Sequence, residues 1–195
     1  NAAAEAGCHE TFIGMESLDA ENLKHIHKSF NKVDNYAKLL KRMKDVGILA
    51  QVAIMIGLDE DTPESLRRSI DIVMDLDVNY LYLAVLTPLP GTPLRDRLAK
   101  QGRIIGKDWS AYDFTHVVVA PNRMSASELD GMIWELYEKF YSFRGIAGRV
   151  LRFGKQYLRF FPRDNAVEEV FFQIQQRSAI LQKTFPFTLG LSGNS

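Results

Sequence analysis

The sequence predicts an α/β protein in which a parallel sheet is followed by a mainly helical C-terminal part. Two nearly continuous apolar runs, residues 48–56 and 80–86, are rich in branched side chains, which is typical of strands buried on both faces of a parallel sheet. The segments around them have apolar residues at helical spacing, as in residues 36–46. Strands that alternate with helices form right-handed crossovers, and such crossovers produce parallel sheets.

The first half of the chain contains three predicted strands, each followed by helix. Gly57 ends the second strand, and Thr62 with Pro63 begins the helix after it. The expected elements are, in chain order, a helix at residues 2–6, a strand at 11–15, helices at 19–30 and 34–46, a strand at 48–56, a helix from residue 63, a strand at 80–86 and a helix from residue 93 to about 102.

Beyond Gly102 the pattern changes to loop and helix. We expect one short strand at residues 116–120, a helix that is capped by Ser125 or Ser127 and ends near residue 143, and a last helix at 165–183. The chain is therefore divided into three parts, which are residues 1–105, a mainly helical extension at 106–183 and a flexible tail at 184–195.

The composition excludes several classes of protein and of site. Basic and acidic side chains are equal in number, 24 each, and 46% of the residues are hydrophobic, as in an ordinary globular protein. The longest unbroken apolar run has seven residues, whereas a transmembrane helix needs roughly 20. Cys8 is the only cysteine, which excludes internal disulfides, zinc sites built from cysteines and an iron–sulfur cluster held by this chain alone.

Polar and turn-forming residues follow each predicted strand. They are residues 16–17, residues 57–62 and residues 87–92. Because the carboxyl ends of parallel strands meet at one edge, a carboxylate, a glycine turn and a rigid proline turn are expected to converge there. That combination suits a polar ligand with a flat apolar part. The alternative is that these glycines and prolines only make turns.

Other candidate sites are weaker. His25 and His27 lie two positions apart on a predicted helix and therefore face different ways. Asp59 and Asp61 have the spacing that begins a calcium loop, but the residues after them lack the rest of that pattern. We expect no metal ligand in this chain.

Four segments resemble a known family in their order and spacing. They are GCHETFIGMES at 7–17, VAIMIGLDEDTPES at 52–65, LTPLPGTPLRDRL at 86–98 with GRI at 102–104, and DWSAYDFTHVVVAPNRMSASEL at 108–129. Together they resemble the second half of radical S-adenosylmethionine (radical SAM) enzymes of the cobalamin-binding-domain group, over residues 1–143. The resemblance implies that residues 1–105 are a partial (β/α) barrel fragment, about the last three parallel strands of a radical SAM barrel. It also implies that the extension closes over the barrel mouth.

The resemblance implies a set of residues that bind S-adenosylmethionine. Glu16 matches the position that binds the ribose hydroxyls, and Ser17 accompanies it. The second strand, here with Ala53 and Met55 where the family usually has Gly and Ile, lies along the adenine. The acidic residue of that motif falls on Glu60 or Asp61, and the subgroup's pattern favours Asp61. The cofactor-binding residues so implied are Glu16, Ser17, Met55, Gly57, Asp61, Leu86 and Thr87.

The activity implied is that of a fragment of a cobalamin-dependent radical SAM enzyme. Its reaction would be methyl transfer or radical rearrangement on a hydrophobic small molecule or lipid, with an external electron donor. The family's Cys-x3-Cys-x2-Cys segment and its cobalamin domain are missing from this sequence. We therefore expect the 4Fe–4S cluster and the cobalamin to be bound by a missing N-terminal part, and this fragment alone to be inactive. Two alternatives are a tRNA-modifying methylthiotransferase, which ends in a small β-barrel, and a non-catalytic binding module without a cluster.

The basic stretch at residues 149–161 has two interpretations. Residues 144–183 carry eight basic and three acidic side chains, so this part of the chain is positively charged. Basic and aromatic residues alternate within the stretch, which suits peripheral contact with a membrane surface or a basic helix packed on the barrel. We expect a cytoplasmic protein, with or without membrane association, and no nucleic-acid partner.

Overall fold

A computed structural model describes residues 2–26, 28, 33–160 and 163–185. Its elements are α1 (Ala2–Glu5), β1 (Glu10–Glu16), α2 (Ala20–His25), α3 (Val33–Asp45), β2 (Leu49–Ile56), α4 (Pro63–Asp75), β3 (Tyr80–Val85), α5 (Pro93–Lys100), a 3-10 turn (Trp109–Ala111), α6 (Ala126–Phe140), α7 (Phe143–Phe160) and α8 (Arg163–Leu181). The predicted α/β class with a parallel sheet is confirmed. That the sheet belongs to a barrel stays a prediction.

The three strands form one parallel sheet in the order β1-β2-β3. One face of the sheet carries Val52, Ile54 and Ile56 into the main hydrophobic core, where helices α3, α4 and α6 cover them. The second face carries Phe12, Gly14, Ala53, Met55 and Tyr82, which the strand registers place side by side. Phe12 is 61% exposed, and its ring meets that of Tyr82 edge-on with 6.3 Å between centroids.

Local sequence determines where two of the long helices begin. Thr62 caps α4 and Pro63 lies in its first turn, as the sequence predicts, and Ser65 completes a capping box with Thr62. Ser125, rather than Ser127, caps α6 and pairs with Glu128 in the same way. The paired side chains satisfy amides that the first turn leaves without partners.

The free edge of β3 is closed by groups from the C-terminal part. The amides of Leu83 and Leu81 donate to the hydroxyls of Tyr137 and Tyr141, over 2.9 and 3.4 Å. The amide of Val85 donates to the carbonyl oxygen of residue 114 over 2.8 Å. These contacts satisfy strand amides that no further strand pairs.

The extension differs from expectation in two respects. The strand expected at 116–120 is a single antiparallel bridge between Ile104 and Val119, because the two segments pair only where they cross. The helix expected to end near residue 143 ends at Phe140, since Ser142 accepts the amide of Gly145 and starts a new helix. That the extension closes over a barrel mouth stays a prediction.

Helices α7 and α8 pack against the amino ends of β2 and β3. Phe153 of α7 is fully buried against Leu49 and Tyr80, which begin β2 and β3, and Phe172 of α8 packs beside them. Helix α6 and Ile180 of α8 belong to the main core. The parts before and after residue 105 therefore share a core, and the division at that residue stays a prediction.

Parts of the predictions lie outside the described residues. The helix expected at 19–30 is seen as α2, which ends at His25, and residues 27 and 29–32 are outside the described part, as are residues 186–195 of the predicted tail. Within the part that the structure describes, no helix is both long and apolar enough to cross a membrane.

Candidate functional site

A cavity of about 460 Å³ lies at the carboxyl ends of β2 and β3. Its walls come from α2, from the strand ends with the loop after β2, and from α5. The lining residues are Asn22, His25, Ile26, Met55, Leu58, Asp59, Leu86, Pro93, Leu94 and Arg97. Met55 lies on the second face of the sheet, so the cavity is on that face. Of the seven predicted site residues, Met55 and Leu86 line it, at the edge where the sequence places the site.

Glu16 has a backbone conformation that the sequence does not reveal. Its φ is 65°, in the left-handed region, and it follows a β-bulge after Gly14. The carboxylate folds back over Gly14, where an added Cβ would lie only 2.8 Å from Oε1. The Nζ of Lys28 is 3.6 Å from the same oxygen. The Glu16 carboxylate therefore lies on the second face of the sheet, where its ribose-binding role stays a prediction.

Ser17 and Thr87 bond to their own neighbourhoods. The Ser17 hydroxyl accepts the amide of Asp19 over 3.0 Å, and the Thr87 hydroxyl donates to the carbonyl of Val85 over 2.9 Å. Both residues are buried, and neither lines the cavity. Their described contacts shape the strand ends.

Gly57 makes the turn out of β2 and lets α6 come close. Its φ is 83°, and an added Cβ would lie 2.8 Å from a side-chain carbon of Leu129. Gly57 is therefore required by the turn and by packing on the core side, and it is outside the cavity lining.

Asp61 is a buried carboxylate that organises the cavity wall. It accepts the side-chain amide of Asn22 over 2.8 Å and the backbone amide of Leu58 over 2.9 Å. Burial raises the pKa of Asp61 to about 6, against the opposing effect of bonds from Leu58, Gly57 and Asn22. Asn22 and Leu58 line the cavity whereas Asp61 does not, so its described contacts are those of a positioning residue.

An ion cluster at the cavity was missed from the sequence. Asp59 accepts Nη1 of Arg97 over 3.2 Å and Nη1 of Arg103 over 2.7 Å, one on each carboxylate oxygen. Arg103 also donates through Nε to the carbonyl of Ala120 over 2.9 Å. The next carboxylate, Glu60, pairs with Arg123. The segments quoted for the family resemblance contain all these residues, but long-range pairing gives no periodic signal in a sequence.

The described residues offer no metal centre. Within residues 2–26, 28, 33–160 and 163–185, no group of three or more histidine, cysteine, aspartate or glutamate side chains is arranged to hold a metal ion. Cys8, the sole thiol of the sequence, is partly exposed and donates to the carbonyl of Glu10.

Comparison with known proteins gives relatives of consistent type. No family model matches the chain. It is 28% identical over 148 residues to the bacteriochlorophyllide d C-12(1)-methyltransferase of Chlorobaculum tepidum, covering 76% of this chain and 32% of that protein. It is 33% identical over 97 residues to the hopanoid C-2 methylase of Rhodopseudomonas palustris, covering 50% and 18%. It is 24% identical over 137 residues to the anaerobic magnesium-protoporphyrin IX monomethyl ester cyclase of Cereibacter sphaeroides, covering 70% and 22%.

Solved structures also align with the chain. One of them is the radical S-adenosylmethionine methyltransferase TsrM of Kitasatospora setae with cobalamin and a 4Fe–4S cluster bound, at a TM-score of 0.47 and 23% identity, covering 73% of this chain and 28% of that one. The chain spans about a third or less of the curated relatives named above. Over 70–76% of its length, the chain is similar to a bacteriochlorophyllide methyltransferase and to a magnesium-protoporphyrin ester cyclase, and the aligned solved structure is that of a radical S-adenosylmethionine methyltransferase.

Proposed function

We propose that this chain forms the S-adenosylmethionine-binding part of a cobalamin-dependent radical SAM enzyme that transfers a methyl group. The observation that carries the proposal is the cavity at the carboxyl ends of β2 and β3. Two residues that the family resemblance assigns to the adenine, Met55 and Leu86, line it. Radical rearrangement is the second candidate reaction, because one of the relatives is a cyclase.

The residues present fit the adenosine part of that cofactor. Met55, Leu58 and Leu86 offer apolar surface to a flat ring, and Leu58 and Leu86 pack in turn on Val118 and Val119 of the extension. A purine ring gains by leaving water for such a wall. The carboxylate of Glu16, on the same face of the sheet, is an acceptor for vicinal hydroxyls.

The two other implied cofactors are assigned to no residue of this chain. A 4Fe–4S cluster needs several thiolates, and the sequence supplies one. We assign no described residue to cobalamin, whose binding domain is expected outside this sequence. When bound, S-adenosylmethionine would supply the methyl group or the adenosyl radical. The residues named here would bind and orient it and exclude water.

The second face of the sheet suggests the kind of substrate. Gly14 and Tyr82 flank Ala53 in the sheet, and the exposed ring of Phe12, which contacts the ring of Tyr82, presents apolar surface. A hydrophobic small molecule or lipid would cover such a surface. The relatives named above act on a bacteriochlorophyllide, a hopanoid and a magnesium porphyrin ester. The methylthiotransferase alternative needs a small C-terminal β-barrel, whereas residues 126–140, 143–160 and 163–181 are helical.

The test uses the full-length protein that carries this chain, with S-adenosylmethionine titrated calorimetrically. We expect Glu16→Ala to weaken binding roughly tenfold to a hundredfold, because charge-assisted hydrogen bonds contribute about 1.5–3 kcal/mol. Glu21→Ala is the control, since Glu21 is an exposed glutamate of the nearby helix α2. Unchanged affinity of Glu16→Ala, with only a lower melting temperature, would show that Glu16 has a structural role alone.

A test of membrane contact through residues 149–161 should change only the basic residues that are exposed. Arg149 is 1% exposed and bonds to Gln173 and to the carbonyl of Phe140, so it faces the protein interior. Arg152 donates to the carbonyl of Met74 over 2.6 Å. The exposed basic residues are Lys155 and Arg159. If the helix meets an anionic membrane, their charge reversal should weaken vesicle binding, at about 1 kcal/mol of attraction per basic residue. Equal partitioning of variant and parent would leave α7 as a packed helix.

A further inference from the structure

We propose that Arg97 is an anion-binding residue of the cavity, and that it binds a carboxylate carried by a ligand with an apolar body. This inference rests on the proposed function, because it concerns the same cavity. The lining combines six apolar residues with one cationic side chain, that of Arg97. Such a cavity favours a ligand that is apolar over most of its surface and negatively charged at one end.

The other polar residues of the lining have partners or no fixed charge. The side chain of Asn22 donates to Asp61 and accepts the amide of Glu60. Both carboxylate oxygens of Asp59 accept hydrogen bonds from arginines. Arg97 is different, because its bond to Asp59 is the only hydrogen bond that its side chain makes among the described residues. Its side chain is 47% exposed. A guanidinium has five N–H donors, so Arg97 retains donors for a ligand.

The net charge of the cluster formed by Asp59, Arg97 and Arg103 also favours binding of an anion. Two guanidinium groups share the single carboxylate of Asp59, so the three side chains together carry one net positive charge. The neighbouring acid, Glu60, is neutralised by Arg123. An added carboxylate would balance the cluster and pair with the planar fork of Arg97.

Arg103 is a positioning residue in this arrangement. Its side chain is 13% exposed and is fixed by Asp59 on one side and by the carbonyl of Ala120 on the other. By holding one oxygen of Asp59, Arg103 prevents that carboxylate from pairing fully with Arg97. This gives a role to the GRI segment at residues 102–104, which the family resemblance leaves without one.

The experiment measures charge preference in the full-length protein. Two probe pairs are titrated: S-adenosylmethionine with its decarboxylated analogue, and 2-naphthylacetate with 2-naphthylacetamide. In each pair the first member has the carboxylate and the second lacks it. Arg97→Gln should weaken binding of a carboxylate probe about tenfold and should not weaken binding of the partner that lacks the carboxylate. Lys100→Gln is the control, since it removes an exposed charge from the same helix outside the cavity lining.

The two pairs distinguish the source of the carboxylate. Loss of preference in the S-adenosylmethionine pair alone assigns Arg97 to the cofactor, and loss in the naphthyl pair alone assigns it to the second substrate. Arg103→Gln should reduce the same preference, because Asp59 then pairs fully with Arg97. A merely structural defect would instead weaken both members of a pair equally.

The inference is overturned if Arg97→Gln keeps the parent's preference in both pairs. If the parent protein binds S-adenosylmethionine in that case, the proposed function stands and only the role of Arg97 fails. If the parent binds neither S-adenosylmethionine nor its analogue, the proposed function fails as well.

Discussion

Replacing Asp61 tests whether one buried carboxylate holds the cavity wall together. Asp61 is 4% exposed and accepts hydrogen bonds from the side chain of Asn22 and the amide of Leu58. Asp61→Ala leaves these two donors without an acceptor, and each such donor costs about 1–3 kcal/mol. At pH 4, we expect a loss of at least about 2 kcal/mol in the free energy of unfolding. For a chain of this size that lowers the melting temperature by roughly 4–8 °C.

Comparing the stability of the parent with that of Asp61→Asn at several pH values tests the raised pKa of Asp61 independently. Burial raises the pKa of Asp61 from 3.8 to about 6, so the folded protein favours the protonated carboxyl. The stabilisation from this group is complete below the unfolded pKa and is lost as the pH rises through about 6. The asparagine variant does not titrate. The parent's stability relative to it should therefore fall by roughly 3 kcal/mol between pH 4 and pH 7.

Urea unfolding at several pH values measures both effects, and binding of S-adenosylmethionine is followed on the same samples. Asp75→Asn is the control, because Asp75 is exposed on α4, and it should change stability by less than about 0.5 kcal/mol. An Asp61→Ala variant as stable as the control would refute the account of the wall. A stability difference between Asp61→Asn and the parent that is the same at pH 4 and pH 7 would refute the account of the pKa.

Two further substitutions test the fold around the site. Gly57→Ala should cost about 2–4 kcal/mol, since it combines a positive φ with a clash against Leu129. Gly91→Ala, with a φ of 76° and nothing within 4 Å, should cost only about 1 kcal/mol. Equal losses in urea unfolding would exclude the clash. Tyr137→Phe should lower the free energy of unfolding by about 1–3 kcal/mol, because the amide of Leu83 loses its acceptor. The specific measurement is hydrogen exchange at that amide, which should become faster. Unchanged exchange would contradict the edge contact.

The parts of the fold that were predicted correctly follow from local sequence signals. The continuous apolar runs of β2 and β3 and the capping residues of α4 act over a few positions, so they can be read directly. The backbone conformation of Glu16 at the end of β1 could not be predicted, because it is left-handed at a position with no glycine. That bulge places the carboxylate of Glu16 on the second face of the sheet.

The site was predictable only where it coincides with strand ends. Met55 and Leu86 line the cavity because they end or follow buried strands. Asp59 and Arg103 are 44 positions apart, and only the folded chain brings them together. The same holds for α7, whose basic residues give no indication that Arg149 faces inward and that the helix packs at the amino ends of the strands.

The closed edge of β3 restricts where another strand can pair with the sheet. Tyrosine hydroxyls accept the amides of Leu81 and Leu83 but offer no backbone on which another strand could continue. Burial raises the pKa of Tyr137, so its hydroxyl remains neutral and this edge is insensitive to physiological pH. A strand from another molecule would have to displace α6 from the core before it could pair with β3. Any strand that extends this sheet, whether from the same protein or from another, must therefore join it beside β1.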